Sequence, residues 1–87
     1  MALLHIPSAL RELTDGQSRI EIDAATAGEA LDLLEARHPG IKARLLDGGR
    51  LRPGLALYLD GTEAASGLRT RLTATSRLHF LAAQSGG

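Results

Sequence analysis

Few residues in this 87-residue sequence are equipped for chemistry, and the barest of them stand at the end of the chain, where "RLHFLAAQSGG" closes on Gly86 and Gly87. Glycine has no side chain, so a terminal Gly-Gly presents a carboxylate with no bulk beside it, able to enter a narrow channel in another protein. Activation of a carboxylate needs that access: attack on a nucleotide phosphate gives an acyl-adenylate, whose carbonyl then accepts a nucleophile. By itself the pair is a weak signal, since frayed termini and cloning remnants are glycine-rich too. Its weight depends on the domain that carries it.

The other candidates are thinner. His5, His38 and His79 are isolated in sequence, and zinc usually takes three or four protein ligands, so they read as structural or solvated rather than as a metal site. The sequence has no cysteine, which removes disulfides, thiolate ligands and a cysteine nucleophile together. Ser8, His5 and Asp15 have the residue types of a hydrolytic triad, but no nucleophile-elbow motif accompanies them. No glycine-rich phosphate loop, HExxH pair or calcium loop is present. One Tyr, one Phe and no Trp, with a formal net charge of zero, leave little for stacking on or neutralising a nucleic acid. Apolar residues at 44% and charged residues at 23% make a globular rather than a disordered chain. "MALLHIPSALREL" lacks the basic start and apolar run of a signal peptide, and no stretch is long enough to cross a bilayer. A cytoplasmic protein is expected.

What must position the tail is legible from periodicity. "ALLHI" (2–6) predicts a strand with Ala2, Leu4 and Ile6 on one face and Leu3 and His5 on the other, ended by Pro7. "SALREL" supports a helical turn through Leu10 and Leu13, and the Asp15-Gly16 pair predicts a turn. "SRIEID" alternates strictly, with Ile20 and Ile22 inward, and predicts a strand hairpinned to the first. "TAGEALDLLEARHPG" is the clearest helix. Thr26 and Glu29 have capping-box spacing, Ala27, Ala30, Leu31 and Leu34 make an apolar stripe, and Pro39-Gly40 ends it. A shorter helical piece is expected at 41–46, broken by "DGG". "LALYL" (55–59) predicts a strand with Ala56 and Tyr58 outward. The turn-rich "DGTEAASGLRTRLTAT" has room for at most a short strand, and "RLHFL" (77–81) predicts the last strand, with Leu78 and Phe80 inward and His79 and Leu81 outward.

One helix cannot bury its stripe alone, and a sheet with one bare face fits it. The expected architecture is α+β: a mixed four- to five-stranded sheet packed on one main helix, in the β-grasp arrangement. Residues 1–81 make the domain and residues 82–87 a flexible tail. At ~3.3 Å per residue that tail extends about 20 Å. The outer face of the sheet would gather Leu3, Ala56, Tyr58 and Leu81 with His5 and His79, and an apolar patch on a small domain is commonly a docking surface.

Taken together, "IPSALRELTDGQSRIEID", the "TAGEALDLLEARHPGIKARLLDGG" helix and its continuation, "LALYLDG" and the closing "SGG" resemble the MoaD/ThiS family of ubiquitin-like sulfur carriers. The likeness covers nearly the whole chain and looks nearest to stand-alone carriers of the CysO and QbsE type. The resemblance implies a protein cosubstrate rather than an enzyme. A MoaD/ThiS-type activating enzyme would adenylate the Gly87 carboxylate with ATP. A sulfur donor such as a rhodanese or cysteine desulfurase would convert it to a thiocarboxylate, and a biosynthetic enzyme would accept the sulfur. Gly86 and Gly87 match the family's Gly-Gly end, and Tyr58, His79 and Leu81 match a region the family uses for docking. No bound cofactor, nucleic acid or membrane is implied.

Three other functions fit the same features: a molybdopterin-synthase small subunit held by a MoaE-like partner, a ubiquitin-like modifier, and a plain interaction domain with an inert tail. A single lysine, Lys42, gives poor support to chain building on the protein itself.

Overall fold

The structure is a computed structural model and describes residues 1–82. Five strands form one mixed sheet in the order β2-β1-β7-β5-β6. β1 (Ala2–His5) and β2 (Arg19–Ile22) form the expected antiparallel pair, with Leu4 opposite Ile20. β7 (Arg77–Ala82) lies between β1, which it meets in parallel, and β5 (Leu55–Leu59), which it meets antiparallel. The last strand in sequence is therefore the middle strand of the sheet. β6 (Thr62–Glu63) is the short strand that the turn-rich region had room for.

α1 (Ala27–Arg37) covers the inner face, burying Ala27, Ala30, Leu31 and Leu34. These pack in one aliphatic core with Leu4, Ile22, Leu57, Leu78 and Phe80, each supplied by the inward parity of its strand. Its N-terminus is capped as expected at one half of the box: the Thr26 hydroxyl accepts from the Glu29 N–H at 3.2 Å. The Glu29 carboxylate reaches one residue further back than a capping box requires, to the Ala25 N–H at 3.1 Å. At the other end the Glu35 carboxylate accepts from the N–H groups of Gly40 and Lys42, at 2.9 and 2.8 Å, tying α1 to α2 (Ile41–Leu45).

Two segments are more ordered than their composition indicates. Gly48 and Gly49, both at positive φ, do more than end α2: they turn a two-stranded ribbon, β3 (Leu46–Asp47) against β4 (Arg50–Leu51). The stretch after β6 is held to the start of α1. The Ala27 N–H donates to the Thr70 carbonyl and the Leu72 N–H to that of Ala25, each at 2.9 Å. Leu68 comes so close to this helix start that a Cβ on Gly28 would lie 3.2 Å from its carbonyl oxygen. "SALREL" and the following Thr form a 3₁₀ segment (Ser8–Thr14) rather than an α-helical turn. Among the described residues no helix is long and apolar enough to cross a membrane.

Candidate functional site

Because β7 sits mid-sheet, the strand that leads to the tail also organises the outer face. Strand pairing lines up one row of outward side chains across all five strands: Arg19 beside His5, His5 beside His79, His79 beside Tyr58, and Tyr58 beside Glu63. Glu21, Leu3 and Arg77 make a second row below it, and Leu81 with Ala56 a third above it. All five residues expected at the docking face, Leu3, Ala56, Tyr58, His79 and Leu81, thus lie on one surface. That surface is less apolar than alternation alone implies. Only Leu81 is well exposed, at 47%, whereas Leu3, Ala56, Tyr58 and His79 are half-buried.

At the middle of the first row the imidazoles of His5 and His79 stack, with ring centroids 3.8 Å apart and planes 12° from parallel. His5 Nε2 is buried and has no hydrogen-bond partner among the described residues. Burial above all, then the neighbouring His79 and the guanidinium groups of Arg19 and Arg77, hold the His5 pKa below that of a free imidazole. That bias toward the neutral form of His5 suits the face-to-face packing of the two rings. Parallel stacked rings do not converge on a common ion, and among the described residues no group of three or more His, Asp or Glu side chains is placed to hold a metal. Nor does His5 take part in a triad: its ring is spent on His79, and no hydrogen bond joins it to Ser8 or Asp15.

Sequence parity placed His5 and His79 on one face but did not show them in contact, because the parallel register of β1 and β7 joins residues 74 positions apart. Asp60, which opens the turn-rich stretch, has φ of 50° in the two-residue turn between β5 and β6. It also accepts the Arg77 N–H at 2.9 Å through Oδ1, fixing the start of β7. The strand itself runs one residue past the expected boundary, to Ala82, which pairs with Leu55. Gly86 and Gly87 lie outside the described residues.

This fold is shared with proteins of known kind. The ThiS family model matches residues 4–87. The chain belongs to that family, within the MoaD/ThiS group of ubiquitin-like sulfur carriers. The sulfur carrier protein CysO of Mycobacterium tuberculosis H37Rv is 31% identical, with 94% of each chain covered. Among solved structures, a chain of the Amycolatopsis orientalis BexX/CysO complex superposes with a TM-score of 0.90 at 32% identity, all of both chains being covered. SAMP1 of Haloferax volcanii, a small archaeal modifier protein, superposes with a TM-score of 0.72 at 28% identity, covering 99% of this chain and 98% of its own. The ThiS-family β-grasp fold is thereby established for this sequence.

Proposed function

We propose that this ThiS-family protein is a sulfur carrier whose working group is the carboxylate of Gly87. The observation that carries the reading is the family match, which continues without a break from the first strand through Gly87. The Gly87 carboxylate attacks the α-phosphorus of ATP on an activating enzyme, and pyrophosphate leaves. A sulfide equivalent from the sulfur donor attacks the acyl carbon, and AMP leaves, giving a thiocarboxylate. Its sulfur, a better nucleophile than the oxygen it replaces, attacks an electrophilic carbon of the acceptor and displaces that carbon's leaving group; water then cleaves the acyl–sulfur bond, releasing the acceptor as a thiol and restoring the carboxylate. The protein is consumed and regenerated as a cosubstrate, with ATP bound by its partner.

The domain's contribution is positional. The tail continues from β7, which pairs with β1 through His79 and with β5 through Ala82, so its root is held on the β5 side while the two terminal glycines suit a narrow channel. The face built from Tyr58, His79, Leu81, Leu3 and Ala56 docks the partner; that a chain of this fold works in a complex is supported by the likeness to the BexX/CysO complex. Carrier-dependent ATP–pyrophosphate exchange by the cognate activating enzyme tests the reading. Exchange is expected with the full chain and lost on deletion of Gly87 at unchanged melting temperature; exchange that survives the deletion contradicts it.

A modifier role is the second reading, favoured by the likeness to SAMP1. It uses the same adenylate, with a lysine amine of a target replacing sulfide. Lys42 is a poor acceptor for self-conjugation, since its ammonium is paired with Asp32.

A further inference from the structure

Two grooves border the place where the tail leaves the sheet. One, of about 450 Å³, is walled by His5, Ser8, Arg11, His79 and Leu81; the other, of about 280 Å³, by Leu10, Arg44, Arg52, Pro53 and Leu55. Pro7, Ala9 and Phe80 belong to both. Leu55 is the strand partner of Ala82, and Leu81 precedes it, so both grooves reach the root of the tail. Neither contains an aspartate or glutamate.

Arg11, Arg44 and Arg52 are exposed, and none forms an ion pair among the described residues, where the single such pair is Lys42 with Asp32. The chain is neutral as a whole, and these two acid-free grooves carry three of its arginines, a local excess of positive charge along their walls. Two of the side chains are already oriented. Arg11 Nε donates to the Ile6 carbonyl at 3.1 Å and Arg52 Nε to the Ala43 carbonyl at 3.0 Å. Each bond anchors the base of a guanidinium, and its two terminal nitrogens have no partner among the described residues, the fork that suits a carboxylate. Holding them in advance lowers the ordering cost of an ionic contact.

We propose that Arg11, Arg44 and Arg52 form a basic collar at the root of the tail. Its partner is a ring of carboxylates around the mouth of the channel in the activating enzyme. The inference rests on the carrier reading and adds the charge of the partner to it. Reach separates the collar from the chemistry: five residues follow Ala82, and a five-residue segment threaded through a narrow channel spans about 16 Å at ~3.3 Å each. That exceeds the Debye length of about 8 Å at physiological salt, so the collar meets the protein around the channel and not the nucleotide phosphates inside it. A nucleic-acid partner is disfavoured because Phe80, the single Phe, Tyr or Trp lining the grooves, is 4% exposed and offers a base almost no face to stack on.

The test is ATP–pyrophosphate exchange at varied carrier concentration, comparing the native chain with the triple variants Arg11→Glu/Arg44→Glu/Arg52→Glu and Arg11→Gln/Arg44→Gln/Arg52→Gln. Charge reversal is expected to raise the KM for the carrier about tenfold or more, and neutralisation about threefold, with kcat within about twofold. Added KCl should raise the KM of the native chain and leave that of the reversed variant flat. Melting temperatures close to native confirm folding. Unchanged KM in both variants overturns the collar while the carrier reading stands. No exchange by the native chain overturns the carrier reading and the collar with it. Retardation of single-stranded RNA that disappears in the variants, at unchanged KM, assigns the arginines to nucleic acid and also overturns the proposal.

Discussion

Adjacent residues on β7 should differ sharply in what they contribute. Phe80 is 4% exposed and packs in the core with Leu4, Leu57 and Leu78, whereas Leu81, on the opposite face, is 47% exposed. Truncating a buried Phe to Ala removes its transfer free energy and leaves a cavity, together about 3–5 kcal/mol. A domain of this length holds about 4–13 kcal/mol in all, at ~0.05–0.15 kcal/mol per residue. Phe80→Ala is therefore expected to lower the melting temperature by about 12–40 °C, at ~4–8 °C per kcal/mol. Leu81→Ala loses only the part of the side chain that is covered, about 1 kcal/mol or less, and the melting temperature should fall by less than about 8 °C. Thermal and urea unfolding measure both. In the exchange assay Leu81→Ala should raise the KM for the carrier while the fold stays intact, and Phe80→Ala should lose activity in step with its unfolded fraction. Comparable destabilisation by the two variants would refute the two-faced strand on which the site is built.

Thr26→Ala removes the hydroxyl that accepts the Glu29 N–H and should cost about 1 kcal/mol, read as a fall in melting temperature of about 4–8 °C. His5, followed by NMR titration, should gain its proton at lower pH than a free histidine, and His79→Asn should bring it part of the way back, since burial is the larger cause and remains. Because the folded-state pKa is the lower one, the neutral ring stabilises the fold fully above the unfolded value of 6.5. That contribution is lost as pH falls from there through the folded value, so the native chain should lose more stability below pH 6.5 than His5→Asn does. Glu35 is held below the usual carboxylate range by hydrogen bonds from the Gly40 and Lys42 N–H groups, so its contribution is present above 4.5 and lost as pH falls through the folded value. Glu35→Gln should melt below the native chain at neutral pH, with the gap closing under acid conditions.

Most of this fold was readable because its elements are amphipathic with clean periods. Ile20 and Ile22 announce β2, Ala27, Leu31 and Leu34 announce α1, and the inward parity of Leu78 and Phe80 assigns the face of β7. What could not be read depends on pairing between distant segments. Nothing in "ALLHI" or "RLHFL" states that these strands run side by side in parallel, so the stacking of His5 on His79 and the five-residue polar row stayed hidden. The β3–β4 ribbon was missed because a two-residue strand carries no periodicity, and Gly48-Gly49 looks the same as a stop signal and as a hairpin turn. Arg11, Arg44 and Arg52 come from the 3₁₀ segment, α2 and the loop before β5, and only the fold sets them along two grooves that share Pro7, Ala9 and Phe80. Alternation places Leu3, Ala56, Tyr58, His79 and Leu81 on one outer face, as the structure has them, but overstates how apolar that face is, since half-burial of Leu3, Ala56 and Tyr58 is set by neighbouring strands.

The measurement closest to the central claim is the intact mass of the protein after incubation with ATP, the cognate activating enzyme and a sulfur source, followed by fragmentation of the tail. Exchange of one oxygen for sulfur, confined to the fragment containing Gly87 and absent without ATP, is the predicted result. An unchanged mass with an enzyme proven competent, or sulfur found anywhere other than Gly87, would contradict it.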